Sequence, residues 1–153
     1  MKNLENKIPP PVVAILFGFC MWLLFGGHAG DSGVGFVRAL LILLVFVAGG
    51  YFSLAGVLAF KKAKTTVNPL KPETATSMVT SGVYQITRNP MYVGFTLFLM
   101  AWAIYLASFL SLLGVMGFVL YINRFQIIPE ERAMRKVFGD AFLEYSKQVR
   151  RWL

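Results

Sequence analysis

From Ala39 to Phe60 the chain runs for 22 residues without a charge, and Lys61, Lys62 and Lys64 then stop the run. At about 1.5 Å per residue this is a helix of roughly 33 Å, long enough to cross the hydrocarbon core of a bilayer. Gly49, Gly50 and Gly56 within it permit close approach by a neighbouring helix. Val12 to Phe25 is a second apolar run, entered through Pro9-Pro10-Pro11 and ended by Gly26-Gly27. Its positive start resembles a signal peptide, but no small-residue cleavage site is followed by a soluble domain, so a retained, short span is expected. Tyr92 to Phe125 is uncharged until Arg124. As one helix it would be about 51 Å long, so two shorter helices joined near Ser108-Phe109-Leu110-Ser111 are expected instead.

Composition agrees. The chain is 57% hydrophobic against 14% charged, well above the apolar share of a soluble domain. The formal charge of +8 does not point to nucleic acid, because most basic residues flank apolar runs, as in cytoplasmic loops facing anionic lipid. Counting four spans puts both termini and the Lys61 to Arg88 loop on one side, with only Arg38 opposite, which the positive-inside rule makes cytoplasmic. The expected fold is therefore all-α: a single domain, 1–153, forming an integral membrane bundle of about four transmembrane helices. The spans are placed at about 11–27, 38–60, 91–107 and 110–127, with a cytoplasmic loop 61–90. An inner-membrane location is expected. The lone Cys20 excludes a disulfide within the chain, and His28 has no partner at metal-ligand spacing, so no metal site is expected.

The tail, 129–153, is different in kind. Met134, Val137, Phe138, Ala141, Phe142, Tyr145, Val149 and Trp152 recur at helical spacing among charged residues. That pattern predicts an amphipathic helical segment on the cytoplasmic side, broken at Gly139-Asp140.

Two stretches carry chemistry. In Arg88-Asn89-Pro90-Met91-Tyr92, Pro90 suits a first helical position and Asn89 an N-cap. The helix start would aim its amides and positive dipole end at the Arg88 loop, where a small anionic group could sit. In Ile127-Ile128-Pro129-Glu130-Glu131, Pro129 marks a second helix start directly beyond the fourth span. Acids so close to hydrocarbon are costly unless they meet water, cations or a ligand. A ligand with an ammonium, a carboxylate and ribose hydroxyls, such as S-adenosylmethionine, could use both stretches; nucleotides and lipid headgroups offer similar groups.

MVTSGVY (78–84), RNPMYVG (88–94) and the downstream EER…FGDAFLEYSKQVRRW resemble the isoprenylcysteine carboxyl methyltransferase family, which is related to the membrane phospholipid N-methyltransferases. The resemblance runs from Asn68 to Trp152. It implies a methyltransferase using S-adenosyl-L-methionine, with cofactor contacts at Thr76, Ser77, Met78, Val79 and Tyr84. Further contacts fall at the helix start, Arg88, Asn89, Pro90, Met91 and Tyr92, and at Glu130 and its neighbour Glu131. A lipophilic or small apolar acceptor would enter from the membrane, near Arg124 and Gln126. The chain departs from the family at Thr76 and Asn89, where histidine is usual. It departs again at Gln126, where an arginine is implicated in the acceptor site, and so puts a carboxylate acceptor in doubt.

Methyl transfer to a lone pair asks mainly for alignment and desolvation, and no residue is assigned as a base. Phospholipid amine N-methylation and small-thiol S-methylation are the alternative chemistries. A small four-span transporter or a scaffold is the alternative outside enzymes. It is disfavoured because no Asp, Glu, Lys or Arg interrupts Val12–Phe25 or Ala39–Phe60.

Overall fold

The computed structural model describes residues 5–26, 34–63 and 77–153. Thr76 and His28 lie outside them, as does most of the 61–90 loop before Ser77. The described residues form helices and turns without strands. Helix α1 is Pro10–Phe25, α2 Phe36–Lys62, α3 Pro90–Leu106, α4 Leu112–Ile122 and α5 Ile128–Gln148.

By length and composition, α2 and the run Phe109–Gln148 are each able to cross a membrane, and α1 and α3 are shorter apolar helices. Their outer faces are bare hydrocarbon: Ile15, Leu24, Phe36, Val37, Leu54 and Phe109 are all well exposed. So large an apolar surface belongs in lipid, since soluble monomers rarely expose large contiguous apolar patches.

Helices α1 to α4 alternate in direction. Near its start α2 holds Arg38 against the end of α3, where its Nε donates to the Ile104 carbonyl at 3.0 Å and its Nη2 to that of Tyr105. A cation on the last carbonyls of a helix meets the negative end of its dipole. Further along, α2 crosses α3 at a glycine seam. A Cβ on Gly94 would lie 2.0 Å from Ser53 Oγ and 2.7 Å from the Gly49 carbonyl, and one on Gly56 would lie 2.9 Å from Met91 Cγ. On the other side of α3, Trp102 Nε1 donates to the Gly18 carbonyl at 3.0 Å, and Met21 of α1 fills the notch at Gly114 of α4. The main core, with Met21, Leu99, Leu106, Phe118 and Ile122, therefore sits between α1, α3 and α4.

The alternation gathers Pro10, Lys62, Pro90 and Ile122 at one end of the bundle and leaves Arg38 at the other. The expected joint between α3 and α4 is present: Ala107 adopts a left-handed conformation (φ 52°), and a 3-10 turn at Phe109–Ser111 leads into α4. The expected break in the tail is present too, at Gly139 (φ 52°, ψ −126°).

Two expectations are corrected. Pro129 does not open a separate helix: α4 passes through a π segment, Asn123–Ile127, straight into α5. The Ile128 amide reaches back to the Asn123 carbonyl, one residue further than in an α-helix. Because Pro129 has no N–H to offer the carbonyl of Phe125, that oxygen instead accepts the backbone amide of Asn6 at 3.0 Å, and the segment before α1 is strapped across the π turn. The second correction concerns the chain end. Val149 and Trp152 do not continue the amphipathic helix; the backbone is extended at Val149 (φ −119°, ψ 134°), and Trp152 packs on the main core.

Overpacking a tight seam costs about 1–3 kcal/mol. Gly94→Ala is therefore expected to lower the melting temperature of the detergent-solubilised protein. Gly50→Ala, where an added Cβ meets nothing within 4 Å, should leave it unchanged; equal melting of both variants would remove the seam from this account.

Candidate functional site

At the end of the bundle where α3 begins, the two chemistry-bearing stretches meet. The phenol of Tyr92, in the first turn of α3, donates a hydrogen bond to Glu130 Oε1, in the first turn of α5. Tyr92 is 5% exposed, and Glu130 is half-buried with its carboxyl enclosed. No cation lies within ion-pair distance of Glu130 among the described residues. Burial pushes its carboxyl up to about 8; the Tyr92 hydrogen bond opposes this and the Glu131 charge adds to it.

Glu131 is handled in the opposite way. Arg88 Nη2 lies 3.1 Å from its Oε1, and Arg151 forks onto both oxygens, Nε at 3.1 Å and Nη2 at 2.7 Å. Arg151 Nη1 also donates to Asn123 Oδ1 at 3.1 Å, inside the π segment. The Arg88 guanidinium stands 5.9 Å above the Phe142 ring, which α5 presents after its kink.

The extended chain end closes over the turn before α3. The carbonyl of Arg151 accepts the Thr87 hydroxyl at 3.1 Å and the Asn89 side-chain amide at 2.9 Å, and the carbonyl of Arg150 accepts the Arg88 amide at 2.9 Å. Asn89 thus occupies the N-cap position without a side-chain capping hydrogen bond to α3. Arg88, in the loop where a small anionic group was expected to sit, is paired with the Glu131 carboxylate.

Tyr84 lies in the 3-10 turn Gly82–Gln85, packed with Val79 and Val83 against Phe60 and its neighbours on α2. Its carbonyl accepts the Tyr145 phenol at 2.6 Å, which fastens α5 to this turn. Burial, then the neighbouring Tyr145 and the Glu130 charge, push the Tyr84 phenol well up; burial also pushes that of Tyr145 up to about 12. Tyr84, Tyr92, Tyr145 and Glu130 therefore form one electrostatically connected group.

The remaining expected residues divide. Met78 is half-buried beside Val79, and the Ser77 hydroxyl donates to the Ala63 carbonyl at 3.4 Å. Pro90 and Met91 are pressed against Gly56. The expected acceptor pair faces elsewhere: Arg124 Nη1 meets Glu5 Oε1 at 3.2 Å, and fully buried Gln126 donates to the Ile8 carbonyl at 2.7 Å. Both are engaged by the strap before α1, not by the Tyr92–Glu130 group. Arg151, Thr87 and Asn123 were given no role by the sequence: Thr87 and Asn123 fall on no apolar stripe, and Arg151 lies in the quoted downstream motif without a partner that the sequence could name.

A family model described as phospholipid methyltransferase matches residues 37–141, which covers α2 after its first residue, all of α3 and α4, and α5 to just past its kink. The chain belongs to the phospholipid methyltransferase family. Among individual proteins, it is 27% identical over 110 residues to protein-S-isoprenylcysteine O-methyltransferase B of Arabidopsis thaliana, covering 70% of this chain and 54% of that one. It is 35% identical over 75 residues to protein-S-isoprenylcysteine O-methyltransferase of Schizosaccharomyces pombe, 47% of this chain and 30% of that one. It is also 46% identical over 63 residues, 41% of this chain, to the full length of an uncharacterized protein of Haemophilus influenzae. The chain thus spans about half or less of the methyltransferases it matches. No solved structure matches it.

A carboxyl raised on folding binds a proton that the unfolded chain, near 4.5, has already lost. Its contribution to stability is complete below about 4.5 and is lost as pH rises towards about 8. In thermal melts across that window, wild type should fall more steeply than Glu130→Gln. Parallel curves would mean that Glu130 is already ionised in the folded protein.

Proposed function

We propose that this family member is an S-adenosyl-L-methionine-dependent methyltransferase embedded in the membrane by four helices, α1, α2, α3 and the run through α4, with both termini and the Tyr92–Glu130 group on the cytoplasmic side. In this reading residues 1–153 form one membrane methyltransferase domain, and the membrane is the inner one. The orientation is supported by the collection of Lys61, Lys62, Arg88, Arg124 and Arg132 at the end of the bundle that holds the group.

The observation that carries the reading is the enclosed Glu130 carboxyl, which has no cation within ion-pair distance among the described residues. A buried carboxylate is stable only when paired, and otherwise keeps its proton. S-adenosylmethionine, when bound, supplies a sulfonium methyl for in-line transfer and brings both a cation and an ammonium. Glu130 would hold positive charge, with Tyr92 fixing the carboxyl from the α3 side. The uncapped first turn of α3 offers donors to an anionic group, as helix starts do. Tyr84 would wall the site, and Ser77, Met78, Val79, Asn89, Pro90 and Met91 would shape its approach from the loop. Thr76 is included on the family resemblance alone. Arg88 and Glu131 would support the site through each other.

The acceptor is read as lipophilic or small and apolar, delivered from the bilayer by the bare faces of the bundle; an isoprenylcysteine-like carboxylate is one such group. One observation favours the alternative of a phospholipid amine: Gln126 is neutral and Arg124 is already paired with Glu5, so neither offers the uncommitted cation a carboxylate would require.

Calorimetry with S-adenosylhomocysteine on the protein in detergent is expected to detect binding. Glu130→Gln and Tyr92→Phe should each weaken it about tenfold or more, as removing one side of a hydrogen-bonded charge contact does. Methyl-labelled cofactor incubated with membrane lipid extract should place label in a lipid. Absence of binding by wild type would end the methyltransferase reading, and label only in volatile thioethers would end the lipid ones.

A further inference from the structure

Two adjacent acids at the start of α5 are treated in opposite ways by the fold, and the difference is made largely by one residue near the chain end. Glu131 meets a single nitrogen of Arg88, and Arg88 Nε is left buried without a partner among the described residues. A single-point contact leaves a carboxylate free to swing. The fork from Arg151 removes that freedom, because two parallel N–H donors fix the plane of the carboxylate as well as its distance.

The same guanidinium reaches Asn123 in the π segment, where the helix changes its phase just before Glu130. The backbone of Arg151 meanwhile receives Thr87 and Asn89, the two residues that set the entry into α3. One residue therefore touches the helix start that carries Tyr92, the π turn that aims α5, and the acid next to Glu130. Tyr92 and Glu130 meet only if those two helix starts keep their separation.

We propose that Arg151 is a positioning residue of the methyl-donor site, acting through Glu131 to lock the start of α5 against the start of α3. The inference rests on the donor-site reading above. The polar side-chain partners of Arg151 are Glu131 and Asn123, not Tyr92 or Glu130. Its guanidinium sets where Glu131 lies, and the satisfied Glu131 leaves Glu130 as the acid available to a cationic ligand. Side-chain substitutions at 151 keep the backbone carbonyl that Thr87 and Asn89 use, so they test the guanidinium and not the closure of the chain end.

The experiment measures S-adenosylhomocysteine affinity of the full chain in detergent by calorimetry, with melting temperature measured alongside. Wild type, Arg151→Lys, Arg151→Met, Glu131→Gln and the double variant Glu131→Gln/Arg151→Met are compared. Arg151→Met and Glu131→Gln should each weaken affinity by about tenfold, the scale of a modest misplacement of binding groups. Arg151→Lys keeps the charge without the fork and should fall between wild type and Arg151→Met, with its melting temperature unchanged. The double variant should be no weaker than the worse single one, because both changes break the same contact. Wild-type affinity in Arg151→Lys and Arg151→Met would overturn the proposal, as would losses that multiply in the double variant, since the two residues would then act independently. Should Arg151→Met fail to fold, Arg151→Lys decides alone: affinity equal to wild type rejects the fork. Failure of wild type itself to bind would reject the donor-site reading, and this inference with it.

Discussion

A charge enclosed beside hydrocarbon has to find a partner, and the way this fold meets that requirement organises the rest of the molecule. At one end Arg38 lies on the terminal carbonyls of α3. At the other, Glu5 bridges Arg124 and Arg132, and Glu131 is shared by Arg88 and Arg151. Each pairing ties together parts of the chain that are far apart in sequence, so the ionic contacts also decide which segments lie together at the rim. Removing a partner from the largely buried Arg88–Glu131 contact would leave an uncompensated charge, which costs more than the intact pair contributes. Glu130 is the exception, paired among the described residues with the Tyr92 phenol and no cation, and an exception of that kind is where binding chemistry is sought.

The bundle beneath the rim is a rigid support. Small residues let α2 and α3 approach until the Gly49 carbonyl almost touches Gly94, and large ones, Met21 and Phe118, fill the gap between α1 and α4. Tyr92 and Ile127 belong to that same core cluster. The group at the rim is thus continuous with the packing below it and inherits its rigidity, as a preorganised binding site needs.

Much of this could be seen in the sequence because it is encoded locally. Pro90 sets a helix start, the Ser108 to Ser111 turn divides two apolar stretches, and Gly139 permits a backbone angle that other residues resist. Proximity of the Arg-Asn-Pro and Glu-Glu stretches followed from counting helices that alternate in direction. What escaped was encoded by distance. Arg151 gains its role only when an extended chain end folds back over residues 87–89, and Arg124 and Gln126 are claimed by a strap more than a hundred residues earlier. The continuity of α4 with α5 also escaped, because Pro129 is a stop signal only if its missing amide cannot be compensated. Here the Asn6 amide takes the orphaned Phe125 carbonyl, and the helix continues.

The wide turn at Asn123–Ile127 has a geometric consequence for the acids that follow. A helix advances about 100° per residue, so accommodating one additional residue rotates everything downstream by that angle about the axis. Without the extra residue, the face of α5 that now meets the tyrosine of α3 would point a quarter-turn or more aside, and a different side chain would stand there. The choice between two adjacent glutamates is in this sense made upstream of both, by the winding of the five residues Asn123–Ile127.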